Sequence, residues 1–255
     1  MHTGIDRKAC NIKFVVFGNT HAKSPFNGVS EILSKSVNNI YMENPAVVIH
    51  TGNMIYGGYS WNGIKKLDIH RQFKENLKIM SKISPVLYSV TGEKDLFNGS
   101  PLIYREFSKR NVYYSFNYGN LHFIVLFTHE KSGNGIDEKQ LNWLKNDMEE
   151  YGDSKKILIF THEPLVLRKK KKYSLKNESL HRLFLKYPVK AVFSGKGSDY
   201  YTYKKDGINY TSLGCNGYSK YKRNKTYSHF YIVRYDCKNF YFEKRSIHLN
   251  KNGQK

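Results

Sequence analysis

Apolar runs and helix-period stretches alternate along the first third of the chain. Ile12-Lys13-Phe14-Val15-Val16-Phe17 is almost continuously apolar and stops at Gly18, the mark of a strand covered on both faces. Val29, Ile32, Leu33, Val37, Ile40 and Tyr41 then recur at helical spacing. Residues 46–49 predict a second buried strand, 64–80 a helix and 85–90 a third strand. This βαβαβ order, with continuous rather than alternating hydrophobicity, predicts a parallel or mixed sheet with helices over both faces.

From Val112 the pattern changes. Residues 112–116 and 121–127 read as strands joined by Asn117-Tyr118-Gly119-Asn120, a hairpin turn signal. A helix starting near Asp137 places Leu141, Leu144 and Met148 on one face. Strands over 157–160 and 189–193 flank a helix over 180–185, and strands follow at 200–203, 208–213, 230–235 and 240–244. No internal repeat or Pro/Gly/Ser linker divides the chain. The expected organisation is an extension over 1–11, one domain over 12–248 and a basic tail over 249–255.

Composition narrows the class. With 255 residues and 15% aromatics, including 21 Tyr and 15 Phe, the chain can bury a sizeable core and is not globally disordered. No run of about 18 apolar residues predicts a membrane-spanning helix. Lys plus Arg number 42 against 21 Asp plus Glu, a formal charge of +21. That excess attracts anions, whether nucleic acid, acidic lipid or phosphate compounds, and does not choose among them. Cys10, Cys215 and Cys237 form neither a disulfide framework nor a zinc motif; free thiols are expected, with a Cys215–Cys237 bridge as the alternative. Residues 1–13 lack an apolar signal segment, so the chain as written reads as cytoplasmic, and as exported if a signal was removed beforehand.

In such folds the chemistry sits on loops at the carboxyl ends of strands. Five short loops qualify: Gly18-Asn19-Thr20-His21, Thr51-Gly52-Asn53, Gly92-Glu93-Lys94-Asp95, Thr161-His162-Glu163-Pro164 and Gly195-Lys196-Gly197-Ser198. In this order and spacing the chain resembles the calcineurin-like metallophosphoesterases, most closely their purple-acid-phosphatase-like branch. The resemblance runs from about residue 12 to about residue 243. It takes in Val112-Tyr113-Tyr114-Ser115-Phe116, Gln140-Leu141-Asn142-Trp143-Leu144 and Gly207-Ile208-Asn209-Tyr210. It implies an α/β fold, a four-layer αββα sandwich of two mixed β-sheets flanked by helices. It also implies two metal ions sharing a bridging carboxylate, with a metal-bound hydroxide that attacks phosphorus.

The family's loops read Gly-Asp-x-His, Gly-Asp, Gly-Asn-His-Asp/Glu, His and Gly-His-x-His. Here the first Asp is Asn19 and the bridging Asp is Asn53, while His21 and His162 survive. The third-loop Asn is Glu93, and the histidine that would assist the leaving group is Lys94, so no catalytic residue is assigned. The paired histidines of the last loop are Lys196 and Ser198. Many relatives also carry an Asp where this chain has Phe127-Thr128-His129. A binuclear centre needs several carboxylates and neutral imidazoles about ions roughly 4 Å apart. Asn keeps the shape of Asp without its charge, and lysine ammonium groups repel a divalent ion. Changing both Asp to Asn also avoids leaving unpaired carboxylates in a pocket without cations. Glu93, Lys94 and Lys196 are then expected to form an ion-pair network that still attracts phosphate or carboxylate.

The basic run Arg168-Lys169-Lys170-Lys171-Lys172 follows Pro164 on a loop that borders the substrate cleft in the family. It reads either as a solvated mobile loop or as a contact for an anionic partner. Tyr and Lys interleaved at 200–205 and 218–223 suit single-stranded nucleic acid, or simply a basic β surface. Thr20 and Ser198 are weak nucleophile candidates, and His50, His122 and His129 read as core or surface histidines.

The expectation is therefore a degenerate metallophosphoesterase: a pseudoenzyme without cofactor that acts by binding an anionic ligand or acidic partner. One alternative is a residual or mononuclear phosphatase holding a single Zn, Mn or Fe ion on His21, Glu93 and His162. The other is an electrostatic binder of nucleic acid or acidic membrane through the 168–172 run.

Overall fold

The structure is a computed structural model that describes residues 11–128, 135–169, 172–197, 200–213 and 227–248. In chain order the first half holds β1 (Ile12–Phe17), α1 (Glu31–Met42), β2 (Val47–His50), α2 (Lys66–Met80), β3 (Leu87–Ser89), α3 (Leu102–Ser108), β4 (Tyr114–Tyr118) and β5 (Leu121–Val125). The second half holds α4 (Glu138–Tyr151), β6 (Lys156–Thr161), β7 (Val166–Lys169), β8 (Lys172–Leu175), α5 (Glu178–Phe184), β9 (Val189–Ser194), β10 (Tyr201–Lys205), β11 (Ile208–Ser212), β12 (Tyr227–Tyr235) and β13 (Phe240–His248).

Two mixed sheets carry the fold. One has the order β13-β12-β1-β2-β3, with β1, β2 and β3 parallel and β12 and β13 antiparallel. The other has the order β10-β11-β9-β6-β5-β4, with a parallel centre and antiparallel edges. Their inner faces meet in a core of Phe14, Val16, Ile49, Phe123, Phe160 and Phe193, among others. Phe14 packs edge-on to Phe123 at 5.3 Å, and Phe123, Phe160 and Phe193 stack in series at 5.9 and 5.5 Å. Each such ring contributes about 1.5–3 kcal/mol by leaving water.

Alternation explains the outer layers. On β1 the neighbours of Phe14 and Val16 are Val15 and Phe17, which face outward onto Leu33, Val37 and Ile40 of α1 and Ile69 and Phe73 of α2. Ile124, Ile157 and Ile159 likewise face Leu144 and Met148 of α4 and Leu180 and Phe184 of α5. The result is the expected αββα sandwich. The helices begin where side chains replace missing intrahelical bonds: Ser30, Asp137 and Asn177 each accept the N–H three residues on.

Some details differ from the sequence reading. The strand expected from Pro85 begins only at Leu87; Ser81–Val86 is a 3₁₀ helix, because proline has no N–H for a ladder. The basic stretch expected as a loop is a two-stranded hairpin, β7–β8, pairing Arg168 with Tyr173 and Lys169 with Lys172. Tyr173 stacks on Tyr203 at 4.6 Å, which docks that hairpin on β10. Cys237 is disulfide-bonded rather than a free thiol. Its partner lies outside the described residues, as do the expected extension apart from Asn11, the tail and the second Tyr-Lys segment at 218–223. No helix among the described residues is long and apolar enough to cross a membrane.

Candidate functional site

The parallel strands β1, β2, β3, β6 and β9 all deliver their carboxyl ends to one side, and the five loops lock together there. Gly52 has φ of 90°, and a Cβ on it would lie 2.8 Å from both His162 Nδ1 and Gly92 N. A Cβ on Gly195 would lie 2.1 Å from Thr51 O. Only glycine allows loops of both sheets to approach this closely. Asn19 and Asn53 also adopt left-handed backbone, with φ of 54° and 55°, a region that Asn and Asp enter more readily than other side chains. The Asn19 N–H donates to Gly52 O at 2.9 Å and the Thr20 N–H to Asn53 O at 3.1 Å.

Asp95 organises the second and third loops, a part that sequence reasoning did not give it. Fully buried, it accepts the N–H groups of Gly92, Asn53, Met54 and Ile55 at 2.8–3.3 Å. Burial pushes its carboxyl up to about 6 against the pull of those N–H groups. Its placement three residues after Gly92 was the available signal, since an acid there caps a helical turn.

Asn53 is the residue that the family resemblance sets at the bridging position. Its Oδ1 accepts the Lys94 N–H at 2.9 Å, which directs its Nδ2 towards Asn19 Oδ1 (3.4 Å) and Glu93 Oε1 (3.3 Å). An amide donor therefore points at both the Asn19 and the Glu93 side-chain oxygens. Glu93 continues the contact: its Oε2 lies 3.0 Å from His162 Nε2 and 3.2 Å from Lys196 Nζ. His162 donates from Nδ1 to Thr51 O at 2.8 Å, which fixes its ring. Neither His162 Nε2 nor Glu93 Oε2 has an aligned hydrogen bond, so their 3.0 Å approach is a close contact of poor geometry.

Lys196 also meets Glu163, which in turn lies 3.4 Å from Lys176 at the foot of the β7–β8 hairpin. Burial alone would raise the Glu93 carboxyl. The close approach of His162, together with Lys196 and the Asn53 amide, outweighs it and holds Glu93 well below the usual carboxylate range. Burial pulls Lys196 down, but its bond to Glu163 and the charges of Glu93 and Glu163 leave it above its ordinary value. The ammonium is firmly charged.

The expected trio of Glu93, Lys94 and Lys196 is thus only partly observed. Glu93 and Lys196 pair, whereas Lys94 sets its Nζ 4.5 Å above the Tyr56 ring. The second carboxylate of the network is Glu163, to which the sequence pattern assigns no more than a place in a loop. It shares that loop with His162, and only the register of β6 against β9 brings it to Lys196. His21 lies in the same pocket, donating from Nδ1 to Ala22 O at 2.8 Å. Burial, with Lys94 and His162 nearby, lowers its pKa to about 4 and keeps the imidazole neutral. Ser198, Lys170, Lys171 and His129 lie outside the described residues. Arg168, Lys169 and Lys172 are exposed on the hairpin.

The nucleophile reading of Thr20 finds no support. Its hydroxyl is buried and contacts His50 Nε2 at 3.0 Å, while the Gly52 N–H donates to His50 Nδ1 at 3.2 Å. That leaves the proton on Nε2, the wrong tautomer for a base towards Thr20. His50 and His122 are both core residues.

The donor set does not fit a two-metal centre. Asn53 offers an amide where a bridge needs a carboxylate, Lys196 sets an ammonium beside Glu93, and among the described residues no three His, Cys, Asp or Glu side chains are grouped to hold one ion.

Comparison with curated protein sequences finds no match. Among solved structures, the chain is similar to a dimetal phosphatase from Danio rerio, at 13% identity and a TM-score of 0.64, covering 94% of this chain and 99% of that one. Purple acid phosphatase PPD1 of yellow lupin gives 13% and 0.62, over 93% of this chain and 52% of its own length. GAP50 of Plasmodium, described as the anchor in the inner membrane complex, gives 14% and 0.57, over 95% and 91%. At such identities the likeness is one of fold. A sequence model of the calcineurin-like phosphoesterase family matches residues 12–195, well over half of the chain. The chain belongs to the calcineurin-like phosphoesterase family.

Proposed function

We propose that this chain is a pseudoenzyme of its family, in which side-chain ion pairs stand in place of the two-metal centre, and that it acts by binding an anionic ligand or acidic partner. The observation that carries this reading is Lys196. Its ammonium lies 3.2 Å from Glu93 Oε2, itself 3.0 Å from His162 Nε2, and it also pairs with Glu163. A divalent ion at Glu93 and His162 would have to displace a cation already satisfied by two carboxylates. The basic rim adds to this: Lys94, Lys176, Lys196 and the hairpin residues Arg168, Lys169 and Lys172 put several cations around two acids.

The test is metal content after incubation with Mn²⁺, Fe²⁺ and Zn²⁺ and removal of loose ions, with p-nitrophenyl phosphate hydrolysis measured alongside. Below about 0.1 ion per chain and no hydrolysis is expected, since two-metal hydrolysis needs near-full occupancy. Two tightly held ions with turnover would sink the reading.

A second reading rests on the misaligned contact between His162 Nε2 and Glu93 Oε2. Those two buried atoms would offer an ion two ligands if Lys196 swings out, and His21, which is not grouped with them, would have to move in as the third. It predicts about one ion per chain and weak activity abolished by His162→Ala.

A further inference from the structure

Eight large apolar side chains are exposed among the described residues, and four of them, Phe26 (67% exposed), Trp61 (72%), Leu67 (77%) and Leu102 (64%), gather on one rim. The contacts that hold them there are specific. Arg71 of α2 donates from Nη2 to Pro25 O at 2.9 Å, which ties the Phe26 loop to the helix one turn beyond Leu67. The Ser60 N–H and hydroxyl both bond Asn98 Oδ1, at 2.9 and 3.2 Å, joining the Trp61 turn to the loop that leads into Leu102. Tyr59 stacks on Trp61 with ring centres 4.0 Å apart, so the indole is held outward. Tyr56 connects this rim to the site: its ring lies 6.4 Å from that of His21 and under Lys94.

Cations surround the apolar residues. Lys23, Lys65, Lys66, Lys74 and Arg105 are exposed near them. The neighbouring acids have local tasks: Asp68 accepts the Lys65 N–H at 2.8 Å, Glu75 pairs with Arg71 at 3.3 Å, and Glu106 faces His70 at 3.6 Å. The apolar groups protrude singly from turns and helix starts instead of lining a groove. Protruding Trp, Phe and Leu among lysines suit a soft anionic surface, where rings settle at headgroup depth and ammonium groups meet phosphates.

We propose that this rim docks the protein on an anionic lipid bilayer. It does not depend on whether the loop centre holds metal, because none of its residues is a former ligand.

The test uses the full chain with Trp143→Phe, so that Trp61 is the one remaining tryptophan. Vesicles of pure phosphatidylcholine are compared with vesicles holding about 30% phosphatidylserine. The anionic vesicles are expected to co-sediment the protein and shift Trp61 emission to the blue, with at least about tenfold weaker binding to neutral vesicles. Trp61→Ala with Leu67→Ala should weaken binding about tenfold or more, and Lys65→Glu with Lys66→Glu should do the same while melting temperatures stay put, since all four are exposed. Unchanged Trp61 emission with anionic vesicles would overturn the proposal. So would binding that survives the Trp61/Leu67 pair, which would move the contact to the basic hairpin, or binding of a poly-Glu peptide in preference to the vesicles.

Discussion

Two buried histidines each face a carboxylate, and the two pairs are finished differently. Between β5 and α4, His122 Nε2 meets Asp147 Oδ2 at 2.7 Å, His122 Nδ1 meets Asn117 Oδ1 at 2.8 Å, and the Ser115 hydroxyl donates to Asp147 Oδ1. Both ring nitrogens and both carboxylate oxygens of that pair have a hydrogen-bond partner. At the loops, His162 meets Glu93 at 3.0 Å without alignment, with Lys196 and the Asn53 amide approaching the same carboxylate. A fully satisfied buried network has one low-energy arrangement and ties elements together. An unaligned one, whose carboxylate is 27% exposed, has alternatives within reach and can exchange partners with a ligand. The first pair belongs to the scaffold and the second to the site.

The largest effect is expected at the scaffold pair. Asp147→Ala leaves His122 buried without its carboxylate and Ser115 without its acceptor, and should cost about 3–5 kcal/mol. Urea unfolding followed by circular dichroism measures this, and a loss below about 1 kcal/mol would erase the distinction between the two pairs. Next comes acid sensitivity through His50. Burial lowers its pKa from 6.5 to about 3, so the unfolded chain takes up a proton near pH 6.5 that the folded chain resists. Stability from neutral His50 is therefore complete above pH 6.5 and is lost as pH falls towards 3, on the order of a few kcal/mol. His50→Gln should unfold with a shallower dependence between pH 7 and 4; an equal slope would assign the acid loss to other groups.

Asn53→Asp tests the site directly. The new carboxylate would face Glu93 Oε1 and Asn19 Oδ1 in place of an amide donor, at an expected cost of about 1–3 kcal/mol. Mn²⁺ or Zn²⁺ should restore part of that loss as a thermal shift seen in the variant and absent from the native chain. A native chain that shifts as much as the variant would contradict the reading of Asn53 as the residue that closes the centre to metal.

Much of this contrast was legible in the sequence. Continuous apolar runs at β1, β2, β6 and β9 announced buried parallel strands, and glycine after a strand announced four of the five loops. The stretch around Gln140 was recognisable, and its cause is visible: Gln140 pairs with both the N–H and C=O of Phe127, at 2.8 and 2.9 Å, fixing the chain just past β5. The short elements were not legible. The seven-residue α3 offers too few turns for periodicity, and β7–β8 was masked by a charge run that usually marks solvated loop. At the site, residue identities were enough to place amide and ammonium side chains on the loops at the strand ends. They were not enough to say that Lys94 turns to Tyr56 while Glu163 takes the second place beside Lys196, because strand register decides which charges on different loops meet.

The smallest effect is expected at Lys196, and it sharpens the contrast most. Lys196→Met removes the cation shared by Glu93 and Glu163, yet His162 remains beside Glu93 and Lys176 beside Glu163. The Lys196 side chain is 42% exposed, so water screens both pairs and compensates the acids when it is gone. Stability should change by no more than about 1 kcal/mol, a fraction of the Asp147→Ala cost, although both variants delete one member of a histidine–carboxylate neighbourhood. Inorganic phosphate binding, by contrast, should weaken clearly, because the variant loses the cation that the loops hold beside Glu93 and Glu163. If Lys196→Met instead unfolded the chain as Asp147→Ala does and left phosphate binding alone, the loop network would be a second structural lock, and the pocket would have no claim to a ligand.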